Sequence, residues 1–516
     1  MSSILTARQT LELHKAIVQY LAPVLDADAD TLGSVCRALD ATPTDAPVAH
    51  YLEKKWLTVL RLQKRILDLE NEVASYKLLI ETANLAPNGS PLVSRDKINW
   101  LPSAVKATYP TQSAQIVNTV AVHPQLPLLA AGCADGAMLA WDLAADDVLL
   151  PLRLWNAHSR SLHCLRWSDV PIDLSGPGRA APAPSLAPAA SAKSASYVLA
   201  SCSSDLTVKI WLGDAFTHMR TLTGHEHTVS SVAFSPSSPL FLYSVSRDKA
   251  VKVWDLASGH CVSTFVGHSD WVRDLDVAAV NSRLLLAAVH KSAALGDFIL
   301  TCSNDQSVRL SHQLGTGLSM LLGHTHVVET VRFLPMLANK HIDKYLLLNM
   351  DRFPYLLDNI VENPVYTESL GFKYCVSAGR DNVLKLWLLP PPVLLPHRLP
   401  LPSVQNNSQG WHILDLLGHQ LWVKSVETHP NGRFIISGAD DKLVRVWDLA
   451  TLVEQGRVAC VKTLTAHEGF VNAVHFARFK MSATGDTRED RLKLIEKSMR
   501  CLFVSAGTDN TVRLWQ

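Results

Sequence analysis

Histidine, hydroxyl, aspartate and tryptophan residues recur along this 516-residue chain at repeated spacings. Asp135, Asp205, Asp248, Asp305, Asp381, Asp441 and Asp509 each stand six residues before an aligned position, filled by Trp141, Trp211, Trp254, Ser311, Trp387, Trp447 and Trp515. Four residues before the aspartates come Ser201, Ser244, Thr301, Ser377, Ser437 and Ser505, with Ala131 in the first set. Upstream lie His158, His225, His268, His324, His419 and His467, four of them after Gly and two after Ala. Histidine with aspartate can hold a metal ion or work as acid and base. An active site occurs once, however, and this set recurs from repeat to repeat. It reads as architecture.

The chemistry it supports is a hydrogen-bonded chain such as His225, Ser244, Asp248 and Trp254. Loop imidazole, strand hydroxyl, turn carboxylate and the next strand's indole hold a sheet together only if every member is satisfied. In the first repeat Gln112 and Ser113 occupy the Gly-His place, so imidazole and hydroxyl are missing together. The most complete example, Gly224 to Asp255, opens on Gly-His, runs through short alternating segments and closes on Trp-Asp. A fixed-period signature of this kind reads as a WD40 propeller. Seven repeats predict an all-β, seven-bladed propeller over residues 96–516.

The chain ends on the third strand of the last blade, so an N-terminal strand near Ile98–Leu101 is expected to supply the fourth and close the ring. Connections lengthened at 168–196, 336–373, 390–411 and 477–500 read as ornaments on loops, the first Ala/Pro/Ser-rich and the last bearing a short exposed helix.

Residues 6–42 carry apolar positions at helical spacing, including Leu13, Ile17, Tyr20 and Leu21, and resemble the LisH dimerisation module. Residues 50–83 carry a heptad: Leu52, Val59, Ile66, Val73 and Ile80 at a, Lys55, Leu62, Leu69 and Tyr76 at d. Branched a residues with Leu at d favour a parallel pair, and Arg65 with Glu70 and Glu72 with Lys77 supply opposite charges at g and e. A homodimer is expected, followed by a Pro/Gly/Ser-bearing linker at 84–95.

A formal net charge of +1 gives no global pull toward nucleic acid or membrane. The nine cysteines form no CxxC pair or zinc spacing, and Arg8, Glu12 and Lys15 interrupt any signal peptide. The composition is that of a reduced, cytosolic protein. No phosphate loop, GxSxG or HExxH occurs, so no enzyme and no cofactor is expected. Binding is expected on the loops, where Arg247, Lys249, Arg380 and Lys442 share a face with Trp271, Arg273, Trp422 and Lys424. Arginine beside tryptophan suits an interface with an acidic protein surface.

The order of segments resembles the lissencephaly protein family, called NudF or nuclear distribution protein in fungi. The matching stretches are Leu52–Trp56, Leu60–Lys64, Ser246–Lys249, Trp271–Arg273, Ser303–Gln306 and Ala439–Lys442. The resemblance implies a non-catalytic regulator of cytoplasmic dynein, binding the heavy-chain motor domain through Arg247, Arg273, Arg380, Trp422 and Lys442. It also implies NudE-type coiled-coil adaptors, microtubule plus ends and spindle poles, and work in nuclear migration, spindle positioning and minus-end transport. Two alternatives stay open: a generic WD40 scaffold such as a ubiquitin-ligase substrate receptor, and a non-catalytic subunit of a lipid acetylhydrolase.

Overall fold

The computed structural model describes residues 29–38, with His14, Ile17 and Val18 before them, and residues 101–515 apart from 103, 112–114, 144–149, 174–195, 214, 279–295, 354–355, 357–359, 369, 396–397 and 477–502. The heptad segment, the linker and most of the LisH-like segment lie outside the described residues. Within the last of these, Ala29–Ala38 forms helix α1. The chain divides into two compact units, Met1–Lys97 and Ile98–Gln516.

The larger unit is a seven-bladed propeller, each blade a four-stranded antiparallel sheet. The innermost strands are Val117–Val122, Leu162–Trp167, Val229–Phe234, Val272–Ala278, Val328–Phe333, Val423–Thr428 and Val471–Phe476. Each packs against the next, and the last packs against the first, which closes the ring. Second strands such as Val198–Ser203, Phe298–Ser303 and Phe434–Ala439 are buried at every position, because neighbouring blades cover both faces. They therefore read as continuous apolar or small runs. The outermost strand Cys261–Val266 is largely in water, with only Ser263 and Phe265, on one face, half-buried.

The closing strand lies downstream of Ile98–Leu101. The strand that completes the last blade is Val105–Pro110, paired antiparallel with Thr511–Trp515, with Tyr109 opposite Val512. Tyr109 is buried and its ring lies 5.6 Å from that of Trp141 in the first blade. Pro110 can sit at this position because it ends an edge strand. Leu101 still contributes, since the carbonyls of Leu101 and Pro102 each accept from Lys462 Nζ at 3.1 Å.

The 336–373 connection is more than an ornament. It folds as α2 (Asn339–Leu348) and α3 (Pro364–Glu368), with one 3-10 turn before α2 and another between the helices. Ile342, Tyr345, Leu346, Phe353, Tyr366 and Phe372 are buried in the same core cluster as Trp387 and Trp447. Helix α2 also packs on α4 (Thr451–Gln455) from the following blade. The insertion even buries a cation. Lys373 Nζ donates to Asp343 and to the Val361 carbonyl, between the rings of Tyr366 and Tyr374. Such burial is tolerated only for a paired, hydrogen-bonded charge.

The lengthened connections all leave from one side. Those after Trp167, Ala278, Phe333 and Phe476 join first strands to second, and that after Leu388 joins a third to a fourth. In an up-and-down sheet these connections share one face. The histidine loops and aspartate turns are left short on the other.

Candidate protein-docking face

On the short-loop face the turns are built alike. Each repeated aspartate accepts the backbone N–H two residues on, from Ala137, Thr207, Ala250, Ser307, Val383, Leu443 or Thr511. The residue between is left-handed every time: Gly136, Leu206, Lys249, Gln306, Asn382, Lys442 and Asn510 all have φ between +63° and +94°. Only glycine adopts this freely, so the aspartate bond must hold the other six in place. The turn directs Lys249 and Lys442 into solvent.

Six of the seven aspartates also receive a histidine. In the third blade Trp254 Nε1–H donates to Ser244 Oγ (2.7 Å), the Ser244 hydroxyl donates to His225 Nε2 (2.7 Å), and His225 Nδ1–H donates to Asp248 (2.7 Å). This order of donors corresponds to the Nδ1–H tautomer of His225. The same links join His158, Ser201, Asp205 and Trp211; His324, Ser377, Asp381 and Trp387; His419, Ser437, Asp441 and Trp447; and His467, Ser505, Asp509 and Trp515. In the fourth blade His268 bonds Thr301 and Asp305, and Ser311 leaves the chain one member short.

Burial opposes ionisation of Asp248, but bonds from His225 and two backbone amides outweigh it and bring the carboxyl down to about 2. Asp205, Asp305 and Asp509 lie lower still for the same reasons. Burial conversely lowers the pKa of His158 and favours its neutral form.

The first blade has no such chain, and Trp141 Nε1 is buried without a hydrogen-bond partner among the described residues. Ala131→Ser places an acceptor where the other blades have one. It is expected to stabilise the propeller by about 0.5–1 kcal/mol, read as a higher urea midpoint; an unchanged or lower midpoint would show that the site cannot seat a hydroxyl.

This scaffold presents the arginines and tryptophans. Arg247 lies over the Trp271 ring at 4.9 Å, and Arg380 over Trp422 at 4.4 Å. In both pairs the arginine comes from one blade and the indole from the next. Arg273 also lies over the Trp271 ring, at 5.6 Å, and is fixed by Asn304 Oδ1 (2.7 Å). Glu329 ties the pairs together, accepting from Arg380 Nε at 2.6 Å with Arg273 at 3.9 Å. Lys442 follows Asp440, whose N–H bonds the Trp422 carbonyl (2.9 Å), so it belongs to the same patch.

Two guanidiniums therefore share one carboxylate, and Arg247 lies within its field. Burial, then repulsion from Arg273 and Arg380, lowers the pKa of Arg247. The same positive field, added to burial, pushes His163 down to about 4. Trp422 stays 41% exposed and Arg247 Nε has no protein acceptor among the described residues. The patch is a cationic, aromatic surface.

Glu329 and Asn304 were not singled out from the sequence. Glu329 could have been found by alignment of the inner strands, where Asn118, His163, Ser230, Arg273, Glu329, Lys424 and Asn472 occupy one position. Each is the extra residue of a β-bulge after the strand's first residue. The bulge re-aims the side chain, and all seven line a cavity of about 130 Å³ at the channel mouth.

Repeated four-stranded blades with this network define a WD40 propeller, and the WD domain, G-beta repeat model matches residues 104–142, 216–255, 259–310, 410–448 and 458–516. The chain is 54% identical to nuclear distribution protein PAC1 of Meyerozyma guilliermondii, over 99% of this chain and 100% of that one. It is 52% identical to the protein of that name from Debaryomyces hansenii, over 99% of both. The counterpart from Komagataella phaffii is 34% identical across 100% of this chain and 98% of its own. The chain belongs to the nuclear distribution protein PAC1 family.

Proposed function

We propose that this chain is a non-catalytic regulator of cytoplasmic dynein that docks on the motor domain through Arg247, Arg273, Arg380, Trp422 and Lys442. Through that contact it serves nuclear distribution, spindle positioning and minus-end transport, as a cytoplasmic protein of microtubule plus ends and spindle poles working with NudE-type adaptors. The observation that carries the reading is the excess of guanidinium over carboxylate around two indoles on one rigid face. Family membership and the resemblance supply the partner. Guanidiniums stacked on indoles keep their outer N–H groups aimed outward, which lowers the entropy lost on meeting a carboxylate surface. Residues 50–83, with the LisH-like segment, pair two chains, so a second propeller docks at high effective concentration after the first. Preferential docking to some motor conformations then shifts their populations.

The test is binding of the full chain to a purified dynein motor domain at fixed salt. Arg247→Ala/Arg273→Ala/Arg380→Ala is expected to weaken binding by at least about a hundredfold with unchanged circular dichroism. A chain beginning at Ile98 should bind with single-site affinity. Equal binding by the folded triple variant moves the site elsewhere; no binding by the unaltered chain favours the generic scaffold.

A further inference from the structure

The opposite end of the central channel holds a second and larger cavity, about 530 Å³, within the range of sites that enclose a side chain or small ligand. Its wall is apolar and aromatic. Trp167, Phe234, Phe333 and Phe372 come from three blades and the insertion, with the last two rings 4.8 Å apart. Pro124, Pro236, Pro335 and Pro430 begin four of the surrounding loops and offer no N–H to a ligand.

The floor is charged. Arg332 donates to Asp274 (2.6 Å) and Glu427 (3.3 Å), and Arg166 stands 3.9 Å from Glu427. Asp276 completes the group, so three carboxylates stand with two guanidiniums, Asp274 behind the cavity and Glu427 and Asp276 in its lining. Asp276 carries the surplus. It accepts backbone N–H groups from Val277 (3.1 Å) and Phe333 (2.8 Å) and has no cationic nitrogen at ion-pair distance among the described residues. Its incomplete burial leaves it open to the cavity, and Asp169 adds an exposed carboxylate at the rim. Net negative charge under an aromatic wall is complementary to a cation with an apolar stem. Burial raises the pKa of Asp276, outweighing the opposing pull of Arg332, the Phe333 amide and Arg166.

We infer that this cavity is a binding site for an arginine side chain presented by an extended peptide segment of a partner protein, with Asp276 as the carboxylate that receives the guanidinium. The aromatic rings flank its methylene stem and planar head. The site is independent of the arginine–tryptophan face, which lies on the other side of the propeller.

The experiment titrates the full-length chain with acetyl-Ala-Arg-Ala-amide by calorimetry, with the citrulline peptide as a neutral isostere. The arginine peptide is expected to bind at least about tenfold more tightly than the citrulline peptide. Asp276→Asn should abolish that preference, and Asp169→Asn, an exposed change without consequence for folding, should reduce it. Arg247→Ala/Arg273→Ala/Arg380→Ala should leave it intact, whatever that variant does to motor binding. Equal affinity for the two peptides, no binding by the unaltered chain, preference for acetyl-Ala-Glu-Ala-amide, or full discrimination by a folded Asp276→Asn chain would each overturn the assignment. Should Asp276→Asn fail to fold, the isostere comparison and Asp169→Asn decide.

Discussion

A chain beginning at Ile98 is expected to fold with a melting temperature within a few degrees of the full-length protein, whereas one beginning at Thr111 is expected not to fold stably. The two differ by the segment that contains Val105–Pro110. Without it, Thr511–Trp515 becomes an open edge, and the indole of Trp141 loses the Tyr109 ring against it. Tyr109 is only 3% exposed. Loss of a buried aromatic costs about 3–5 kcal/mol, and the abandoned ladder bonds add to that. The total rivals the about 5–15 kcal/mol that holds a typical domain together. An exposed strand edge also invites pairing between copies, so aggregation should accompany the loss. Circular dichroism and size-exclusion chromatography on the two chains are the measurement. Cooperative melting of the shorter chain near the full-length temperature would show that seven blades hold the ring without a strand from the N-terminal side.

The second expected result concerns one turn. Asp248→Ala should destabilise the propeller by about 3 kcal/mol, because it removes the acceptor of His225 Nδ1 and of the Glu226 and Ala250 amides together. It also releases Lys249 from the turn that holds it left-handed at φ 70°. Asp135→Ala should cost about 1 kcal/mol. Asp135 accepts from Ala137, the next residue is glycine, and no histidine reaches it among the described residues. Similar losses at the two sites, measured by urea denaturation, would mean that the turn alone stabilises the blade and the histidine adds nothing.

The pH dependence follows from the same group. The folded carboxyl of Asp248 lies near 2, below its ordinary 3.8. Its contribution is therefore full above pH 3.8 and lost as the pH falls through 2. Asp205, Asp305, Asp381, Asp441 and Asp509 are lowered in the same direction, so their losses accumulate in acid. Unfolding below about pH 4 should be steep, and Asp248→Ala should make it shallower by removing one titrating group. An acid transition of unchanged steepness in that variant would count against the linkage.

The blade was legible in the sequence because its determinants are local. Asp248 must sit two residues before the amide it accepts and six before Trp254 if strands of this length are to pair. That spacing survives in each repeat whatever the loops do. It is blind to what fills the loops: residues 336–373 break the repeat without announcing that Ile342 and Phe372 enter the core beside Trp387. It also misplaced the closing strand, since Ile98–Leu101 and Val105–Pro110 both precede the first blade with strand-compatible residues. Partnership with Thr511–Trp515 is set by a contact that spans nearly the whole chain.

The sequence by itself determined the propeller fold, the number of blades and the blade in which the network is absent, because each follows from hydrogen bonds closed within one repeat. Only the tertiary structure decided that Arg247 meets Trp271, that Glu329 joins Arg273 to Arg380, and that Asp276 has no cation at ion-pair distance among the described residues. Those meetings cross blade boundaries. They depend on how seven twisted sheets tilt around a common axis and on a bulge that turns one side chain per inner strand into the channel, and no spacing along the chain records either.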